Sequence, residues 1–443
     1  MQLFILFVIV ILLLVSIGRW GVHPFLALLV FGLLFGIGSG LGPVESVDLL
    51  MEGFAKTLQW IGVIMVLGAM IGEIANETGG AERIARSTLK LSGEKRLPQA
   101  MALTGYVISI PVFVDVAYIM MQTVTEALAA RSKQNILVVG LSLAAGLTAT
   151  HALMPPTPGP LAVAGILEGQ LGRIILINFF VAFSAMAGGL AWAMFYCRKV
   201  ELDYDREIRQ RYALSTDDDQ AATSQASSTW LSLLPIFVPL MLIAISSFIG
   251  SDQTDAWATL FRFLGTPFVA LSIGVMLALA QYGKDFSMRR VAKVAERSIE
   301  KAALVIMITG AGGAFGHVIK NSGVTETISE YAANAGGIGF LFPFLLASVF
   351  TTATGSLTVS MITTASIVSP LMPALGISPE MTAALIGSGA FCVFHINSSF
   401  FWLLNRLHRA PPTVLLKTYT MQSLCMGLGG LAAVMLLRLC GLK

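Results

Sequence analysis

The amino-acid sequence predicts an all-α polytopic membrane protein that contains two inverted repeats. Of the 443 residues, 56% are hydrophobic and 12% are charged, and the mean hydropathy is +0.79. Soluble globular domains carry more charge than this composition supplies. The chain also contains several apolar stretches long enough to cross a hydrocarbon core of about 30 Å, which requires about 20 helical residues. A pattern that recurs between the two halves of the chain predicts the repeats.

The recurring pattern is centred on two histidines in apolar surroundings. His151 and His395 lie 244 residues apart, and the same spacing separates Gly72 from Gly316. The segment GEIANETGGAERI begins at the first of these glycines, and GHVIKNSGVTETI begins at the second. Membrane carriers commonly bind substrate between two repeated halves, so the duplication predicts a transporter. The predicted organisation is a first repeat at 1–197, a cytoplasmic linker at 198–229 and a second repeat at 230–443.

Eight apolar stretches are predicted to be ordinary transmembrane helices, four in each half. They cover residues 3–17, 23–40, 60–74, 174–197, 231–249, 267–280, 304–319 and 421–439. The polar segment at 198–229 separates the two sets of four. Its composition is typical of a solvated linker, although partner binding is an alternative role.

Four further apolar regions are interrupted by Pro, Gly and hydroxyl residues. They are 98–130 with SIPVFVD from Ser109, 136–167 with HALMPPTPGP from His151, 339–372 with TTATGS from Thr351, and 381–404 with HINSS from His395. Proline cannot continue an α-helix without losing hydrogen bonds. Irregular backbone is tolerated at membrane depth only where it is buried in protein or lines a watery cavity.

We predict a re-entrant hairpin for the first interrupted region of each half and a helix broken at mid-membrane for the second. The broken helix is then the fifth crossing of each half. An odd number of crossings inverts the second half relative to the first. On this topology 22 of the 28 Lys and Arg residues lie on one side of the membrane. Basic loops are retained in the cytoplasm, so both termini are expected in the periplasm.

The interrupted regions contain no Lys or Arg, so an anionic substrate would have to be held without a cationic side chain. Helix N-termini can hold an anion, because their free N–H groups carry a partial charge of about +0.5. We expect the polar side chains at the interruptions to contact the substrate, or alternatively only to cap the broken helices. The predicted substrate-binding residues are Ser109, His151, Thr157, Thr354, Ser356, His395, Asn397 and Ser398.

Asp115 is the predicted site of the coupling proton. It is the acid nearest a predicted hairpin tip, and an ionised carboxylate costs about 2.5 to 3.5 kcal/mol at the membrane centre. Such a group favours protonation or pairing, so it could carry a proton inward with the substrate. The alternative is a hairpin cap that does not titrate during transport. His151 and His395 could also relay protons, because histidine titrates near neutral pH.

Four motifs resemble the gluconate permease family, within the ion transporter superfamily. They are THALMPPTPGP from Thr150, GAGGAFGHVIKNSGV from Gly310, TGSLTVSMITTASIVSPL from Thr354 and GSGAFCVFHINSSFFW from Gly387. The resemblance implies a bacterial inner-membrane symporter that imports sugar acids or related small hydroxy-carboxylates with protons by alternating access. It also implies a homodimer in which each chain has a scaffold and a mobile transport domain.

The sequence departs from the family pattern at three places that bear on substrate choice. Thr157 stands where family members often have His, Ser398 where they often have Asp, and Asp115 where many have Glu. The transported acid therefore stays open among sugar acids, hydroxy acids and D-serine.

Other functions are weighed against the same residues. Sodium coupling is the main alternative, because unwound carbonyls beside Ser, Thr and Asn are good sodium ligands. An ion channel would need a continuous polar pore, whereas these polar residues cluster at mid-depth. An intramembrane enzyme would need a nucleophile or a metal cage, and the sequence has no His-Glu-x-x-His and no Gly-x-Ser-x-Gly. We expect no cofactor, no metal and no nucleic-acid partner.

Overall fold

A computed structural model describes residues 2–78, 96–110, 112–213, 229–249, 255–324, 336–396 and 398–442. Every regular element in these ranges is helical, which confirms the all-α prediction. Five helical stretches of the described chain are long and apolar enough to cross a membrane, or up to seven if each of two bent pairs is one span. The remaining apolar helices are shorter, at 10–17 residues.

In the described ranges the first half contains eight α-helices of at least nine residues and the second half contains nine. The first half comprises α1 (Gln2–Gly18), α2 (Pro24–Ser39), α3 (Pro43–Glu77), α4 (Leu97–Ile108), α5 (Val114–Arg131), α6 (Ile136–Leu153), α7 (Pro158–Ile166) and α8 (Leu171–Phe195). The linker contributes α9 (Asp203–Ala213). The second half comprises α10 (Thr229–Ser246), α11 (Ala256–Leu264), α12 (Pro267–Ala280), α13 (Met288–Asn321), α14 (Phe342–Thr354), α15 (Leu357–Val368), α16 (Pro379–Ala390), α17 (Ser399–His408) and α18 (Met421–Leu439). Apart from α11, the helices of the second half follow the order of α1 to α8.

Helices are interrupted at all four predicted positions. Short turns separate α4 from α5 and α14 from α15, and the second of these turns uses Gly355 at φ +68°. α6 ends at the Pro-rich segment, and Pro158 opens α7 at a helix position that needs no N–H donor. α16 and α17 are separated by residues 391–398, where Val393 has φ +56°. A β-branched residue is strained at positive φ, which is common beside functional sites.

The equivalent long helices α3 and α13 cross each other antiparallel. Near the start of α3, Gly53 lies against α13, and a Cβ built on it would lie 2.5 Å from His317 Cβ. Near the end of α3, Glu73 pairs with Arg297 at 3.3 Å and with Lys301. The start of α3 therefore contacts the end of α13, and the end of α3 contacts the start of α13.

The last long helices of the two halves, α8 and α18, also cross antiparallel and contact each other reciprocally. A Cβ built on Gly188 would lie 2.5 Å from the Cys425 carbonyl, and one on Gly429 would lie 2.8 Å from the Ser184 carbonyl. Ser184 Oγ also donates to the Gly429 carbonyl at 2.8 Å. Glycine is required at both positions, because a side chain would hold the backbones apart.

α6 and α16 form the centre of the fold. All residues at 136–150 and 380–392 are buried. A helix that is apolar around its whole circumference is normally enclosed by other helices. α4, α5 and α8 pack around α6, and α14, α15 and α18 pack around α16.

The first part of the linker is an ordered helix that contacts both halves. Asp205 accepts hydrogen bonds from the backbone amides of Ile136, the first residue of α6, at 2.8 Å and of Leu202 at 3.2 Å. Burial raises the pKa of Asp205, and these two hydrogen bonds oppose that rise. Arg409, after α17, pairs with Glu207 at 2.6 Å. Residues 214–228 lie outside the described ranges.

We predict that Asp205→Ala lowers the free energy of unfolding by about 1 kcal/mol, the usual cost of losing a helix cap. Asp205→Asn keeps an acceptor and removes the buried charge, so its loss should be smaller. Thermal unfolding in detergent measures both variants, with the exposed Glu201→Ala as the matched control. An Asp205→Ala melting temperature equal to that of Glu201→Ala would contradict the capping role.

Candidate functional site

Four helices begin at the interruptions, and they begin in two neighbouring pairs. α7 begins against α15, because a Cβ built on Gly159 would lie 3.1 Å from Met361 Sδ and 3.8 Å from a methyl of Leu357. α5 begins beside α17, where the rings of Tyr118 and Phe400 are 5.3 Å apart. Each pair takes one helix from each half. Helix N-termini present free N–H groups, so both junctions favour an anion.

His151 connects the two helix starts of the first half. It lies in the last turn of α6, and its ring is 5.7 Å from that of Phe113, which immediately precedes α5. These two residues line a cavity of about 10 Å³ together with Thr157 and Gly68. Nδ1 of His151 is buried and has no hydrogen-bond partner among the described residues. The cavity has room for about one water molecule, so this part of the site is closed to an organic substrate in this conformation.

His395 makes the corresponding connection in the second half. Its Nε2 lies 2.9 Å from the carbonyl of Thr352, in the last turn of α14. Ser356 caps α15 by accepting from the Val359 amide at 3.4 Å, and the Ser356 amide donates to Thr354 Oγ1 at 3.3 Å. Each histidine of the repeated pattern therefore contacts the helix–turn–helix of its own half.

The structure brings most of the predicted site residues to these junctions. Asp115, His151 and Thr157 lie around the first interruptions, and Thr354, Ser356, His395 and Ser398 lie around the second. Ser109 instead closes the turn after α4, where its hydroxyl donates to the Val112 carbonyl at 3.0 Å. Asn397 lies outside the described residues.

Asp115 occupies the first turn of α5 and is exposed. A carboxylate is stabilised in the first turn of a helix by the N-terminal partial charge. No ion pair of Asp115 occurs within the described part of the chain. The position suits a group that exchanges a proton, because no fixed cation holds it ionised.

A wide cleft lies beside α3 and α13 at the end where Gly53 meets His317. Its volume is about 990 Å³. Its far wall is the end of α7 and residues 369–373, which follow α15. Lys56, Lys320 and His317 line it, together with Glu168, so its rim has an excess of basic groups.

The opposite end of the same helix pair is closed. There the space between α3, α13 and the start of α5 is only about 10 Å³. Glu73, which is 7% exposed, pairs with Lys301 and Arg297 and seals this end. At the spacing of 244 residues the two ends are counterparts: Ala69, Gly72, Glu73, Asn76 and Lys301 of the closed end correspond to Gly313, Gly316, His317, Lys320 and Thr57 of the open cleft.

Known proteins are similar to this chain in sequence and in fold. The model of the GntP family permeases matches residues 1–440. The chain belongs to the GntP family of permeases. It is 33% identical over 402 residues to an uncharacterized permease of Haemophilus influenzae, covering 88% of this chain and 82% of that one. It is 31% identical over 434 residues to a gluconate permease of Pseudomonas aeruginosa, covering 96% and 95%.

A solved structure has the same fold. MtrF of Neisseria gonorrhoeae, described as illuminating a class of antimetabolite efflux pumps, aligns with a TM-score of 0.70 at 15% identity and covers 95% of this chain and 96% of its own. The family match over residues 1–440 and the relative in Pseudomonas aeruginosa confirm the sequence resemblance to the gluconate permease family. This GntP family member is a multi-pass transport protein of the bacterial inner membrane and not an enzyme.

Sequence reasoning missed two polar clusters in this permease. One is the Glu73 network at the closed end. The other is a buried pair in which Tyr118 Oη lies 2.5 Å from His408 Nε2. His408 lies between Arg406 and Arg409, which look like surface residues in the sequence. The helical spacing of polar residues along α5 was the available signal.

We predict that Thr157→Val destabilises the protein more than it weakens substrate binding. The Thr157 hydroxyl lies 2.5 Å from the Met154 carbonyl and 3.0 Å from that of His151. Leaving a buried polar group unpaired costs about 1–3 kcal/mol. Thr157→Ser keeps the hydroxyl and is the matched control for thermal unfolding with and without substrate. Normal stability together with lost substrate-induced stabilisation would instead assign Thr157 to substrate binding.

Proposed function

We propose that this permease is a proton-coupled symporter that imports gluconate-like sugar acids or related small hydroxy-carboxylates by alternating access. The observation that carries the proposal is the meeting of helix N-termini from both halves in regions that contain no Lys or Arg. Free N–H groups there can bind a carboxylate, and nearby hydroxyls can bind substrate hydroxyls. The gluconate permease of Pseudomonas aeruginosa supports this substrate class.

The proposed site residues are those predicted from the sequence, and most of them lie at the two junctions. Substrate would contact the predicted set Ser109, His151, Thr157, Thr354, Ser356, His395, Asn397 and Ser398, and Asp115 would carry the proton. Among these, the Ser356 hydroxyl caps α15 and contributes through the backbone that it holds. His151 Nδ1 has no hydrogen-bond partner among the described residues, so it offers a direct contact to substrate. The basic rim of the cleft would attract anions before they reach the site.

The two halves are proposed to be inverted repeats, with boundaries at 1–197 and 230–443. The antiparallel crossings of α3 with α13 and of α8 with α18 support inversion, because equivalent helices of the two halves run in opposite directions. The reciprocal contacts of Gly188 and Gly429 support a pseudo-two-fold relation. With the basic side in the cytoplasm, both termini lie in the periplasm. The homodimer implied by the family resemblance is part of the same proposal.

Alternating access is supported by the difference between the two counterpart ends of the α3 and α13 pair. One end borders a cleft of about 990 Å³ and the other a crevice of about 10 Å³. If the halves exchanged conformations, the crevice would open and the cleft would close. On the proposed topology the wide cleft faces the periplasm, so this conformation is outward-open.

Coupling is tested by uptake into proteoliposomes under separately imposed proton and sodium gradients. We expect a proton gradient to drive accumulation of a sugar acid, with gluconate, glycerate and D-serine compared as substrates. Asp115→Asn should reduce proton-driven accumulation by about tenfold or more, as expected for losing an essential group. The exposed Asp203→Asn is the matched control. Accumulation driven by sodium alone would establish the alternative coupling ion, and a fully active Asp115→Asn would exclude this residue.

Alternating access is tested by thiol labelling in a background without the four native cysteines. Asn76→Cys lies in the closed crevice, and its counterpart Lys320→Cys lies in the open cleft. We expect faster labelling at position 320 than at position 76. Adding Lys301→Ala removes a partner of Glu73 and should speed labelling at position 76 by up to about tenfold, since about 1.4 kcal/mol changes an equilibrium tenfold. Lys293→Ala, exposed on the same helix, is the control, and equal effects of the two changes would contradict the gate.

A further inference from the structure

A line of polar side chains begins at the exposed Asp115 and continues along α5, away from the candidate site, through buried positions. Asp115 lies in its first turn, and Tyr118, Gln122 and Glu126 follow on the same side of the helix at spacings of three or four residues. Tyr118 is fully buried, and Gln122 and Glu126 are 9% and 6% exposed. Eleven residues of helix extend about 16 Å, so the line covers about half of a hydrocarbon core. Burying polar side chains costs free energy that apolar side chains at the same positions would not cost, so the buried polar line requires an explanation.

Two other elements complete this line. His408, fully buried at the end of α17, lies with its Nε2 2.5 Å from Tyr118 Oη. Gln122 Nε2 donates to Glu126 Oε1 at 2.6 Å and to the carbonyl of Leu407 at 3.3 Å. At the linker end, Tyr204 of α9 donates to Glu126 Oε1 at 2.5 Å.

Two steps of the line have no direct hydrogen bond among the described residues: one lies between Asp115 and Tyr118 and the other between His408 and Glu126. His408 Nδ1 and Gln122 Oε1 are both buried without a hydrogen-bond partner in the described ranges. Gln122 bonds to the carbonyl of Leu407, the residue that precedes His408 in the chain, so the two side chains belong to neighbouring positions. Internal water normally satisfies buried polar atoms of this kind. Asp115 and Tyr118 are one helical turn apart, with Cβ atoms about 5–6 Å apart, which one water can also bridge.

Gly140 of α6 makes room for the central pair. A Cβ built there would lie 2.5 Å from Tyr118 Oη and 2.7 Å from His408 Nε2. Other titratable or charged groups near this pair, within the described residues, are Glu126 on α5, Tyr204 on α9, Tyr419, whose ring lies 5.7 Å from that of Phe400, and Arg409, whose guanidinium lies 5.0 Å from the Tyr204 ring. Arg409 and Glu207, at 59% and 44% exposure, mark the surface end of the line.

We propose that this line is the route by which the coupling proton leaves Asp115 for the cytoplasm, with His408 as the relay and Glu126 as the exit group. The inference rests on the proposed proton symport and names its internal path. The Asp115 carboxyl O–H breaks, and the proton passes through water and the Tyr118 hydroxyl to the His408 imidazole. From His408 Nδ1 the proton passes through water directly to the Glu126 carboxylate and then into cytoplasmic water, while the Gln122 amide positions Glu126 through its hydrogen bond at 2.6 Å and carries no proton itself. Asp115 is left as the carboxylate, and no electrons are transferred.

The test separates proton release from substrate movement in proteoliposomes. Exchange of labelled for unlabelled substrate at equal concentrations requires binding and reorientation but no net proton transfer. Accumulation driven by a proton gradient requires both. We expect Glu126→Gln and His408→Gln to retain exchange within about twofold and to lose at least about tenfold in accumulation, as for loss of a proton-transfer group. A pH dye inside the vesicles should report correspondingly less proton entry during uptake.

Thr125→Val is the matched control, because it removes a buried hydroxyl from the neighbouring position of α5, and within the described residues this hydroxyl bonds to the Met121 carbonyl alone. It should leave both exchange and accumulation unchanged. Gly140→Ala perturbs the Tyr118 and His408 pair without altering either residue, and it should reproduce the accumulation defect. Glu126→Gln, at the linker end of the line, provides a second test if His408→Gln does not fold.

Two results would overturn the inference while leaving the proposed function intact. Full proton-driven accumulation in both Glu126→Gln and His408→Gln would place the route elsewhere. Equal loss of exchange and accumulation in folded variants would make the cluster a structural contact between α5 and α17. By contrast, failure of the unaltered protein to accumulate substrate on a proton gradient would overturn the proposed coupling itself, and the route with it.

Discussion

Backbone hydrogen bonding at the helix interruptions is the constraint on which the rest of this structure depends. A membrane supplies no water to replace lost helical hydrogen bonds, so each break must be satisfied by protein groups. Asn178 of α8 donates to the carbonyl of Leu153 at 2.8 Å, where α6 ends. Thr351 of α14 donates to the carbonyl of Ala390 at 2.6 Å, where α16 ends, and the Phe394 amide donates to Ser423 Oγ at 3.0 Å. These contacts hold the interruptions in place and so keep the helix N-termini at the two junctions.

Because protein groups satisfy the backbone at the interruptions, basic side chains are not needed there and lie elsewhere in the protein. The interrupted regions contain no basic residue, whereas ion pairs gather at the ends of the long helices, as in the Glu73 network. An anion near the helix starts therefore meets fixed dipoles that need no desolvated cation. A buried cation would bind a carboxylate strongly and would slow its release, which a transporter must avoid.

The sequence predicts most of the architecture and part of the candidate site. Proline restricts the backbone and glycine permits positive φ, so the breaks near Pro156 and Gly355 can be located without tertiary information. The partners of those breaks could not be predicted, because Asn178 and Ser423 look like isolated polar residues in apolar helices. His408 was missed because its basic neighbours suggest an exposed segment, whereas α17 turns its last residue into the protein. The hydrogen bonds of the Ser109 and Thr157 hydroxyls to local carbonyls could not be predicted either, because they depend on the turn that each residue occupies.

The crossing of α3 and α13 has chemically different ends, although the two ends are counterparts in the repeated pattern. At one end Glu73 meets Arg297 and Lys301, and at the other Gly53 packs closely against α13. Ion pairs are weakened by dissolved salt over a screening length of about 8 Å at physiological ionic strength, whereas a steric contact is insensitive to it. Dissolved salt therefore weakens the Glu73 end of the crossing more than the Gly53 end, where close packing of the two helices reinforces the 3.5 Å contact between Glu52 and His317.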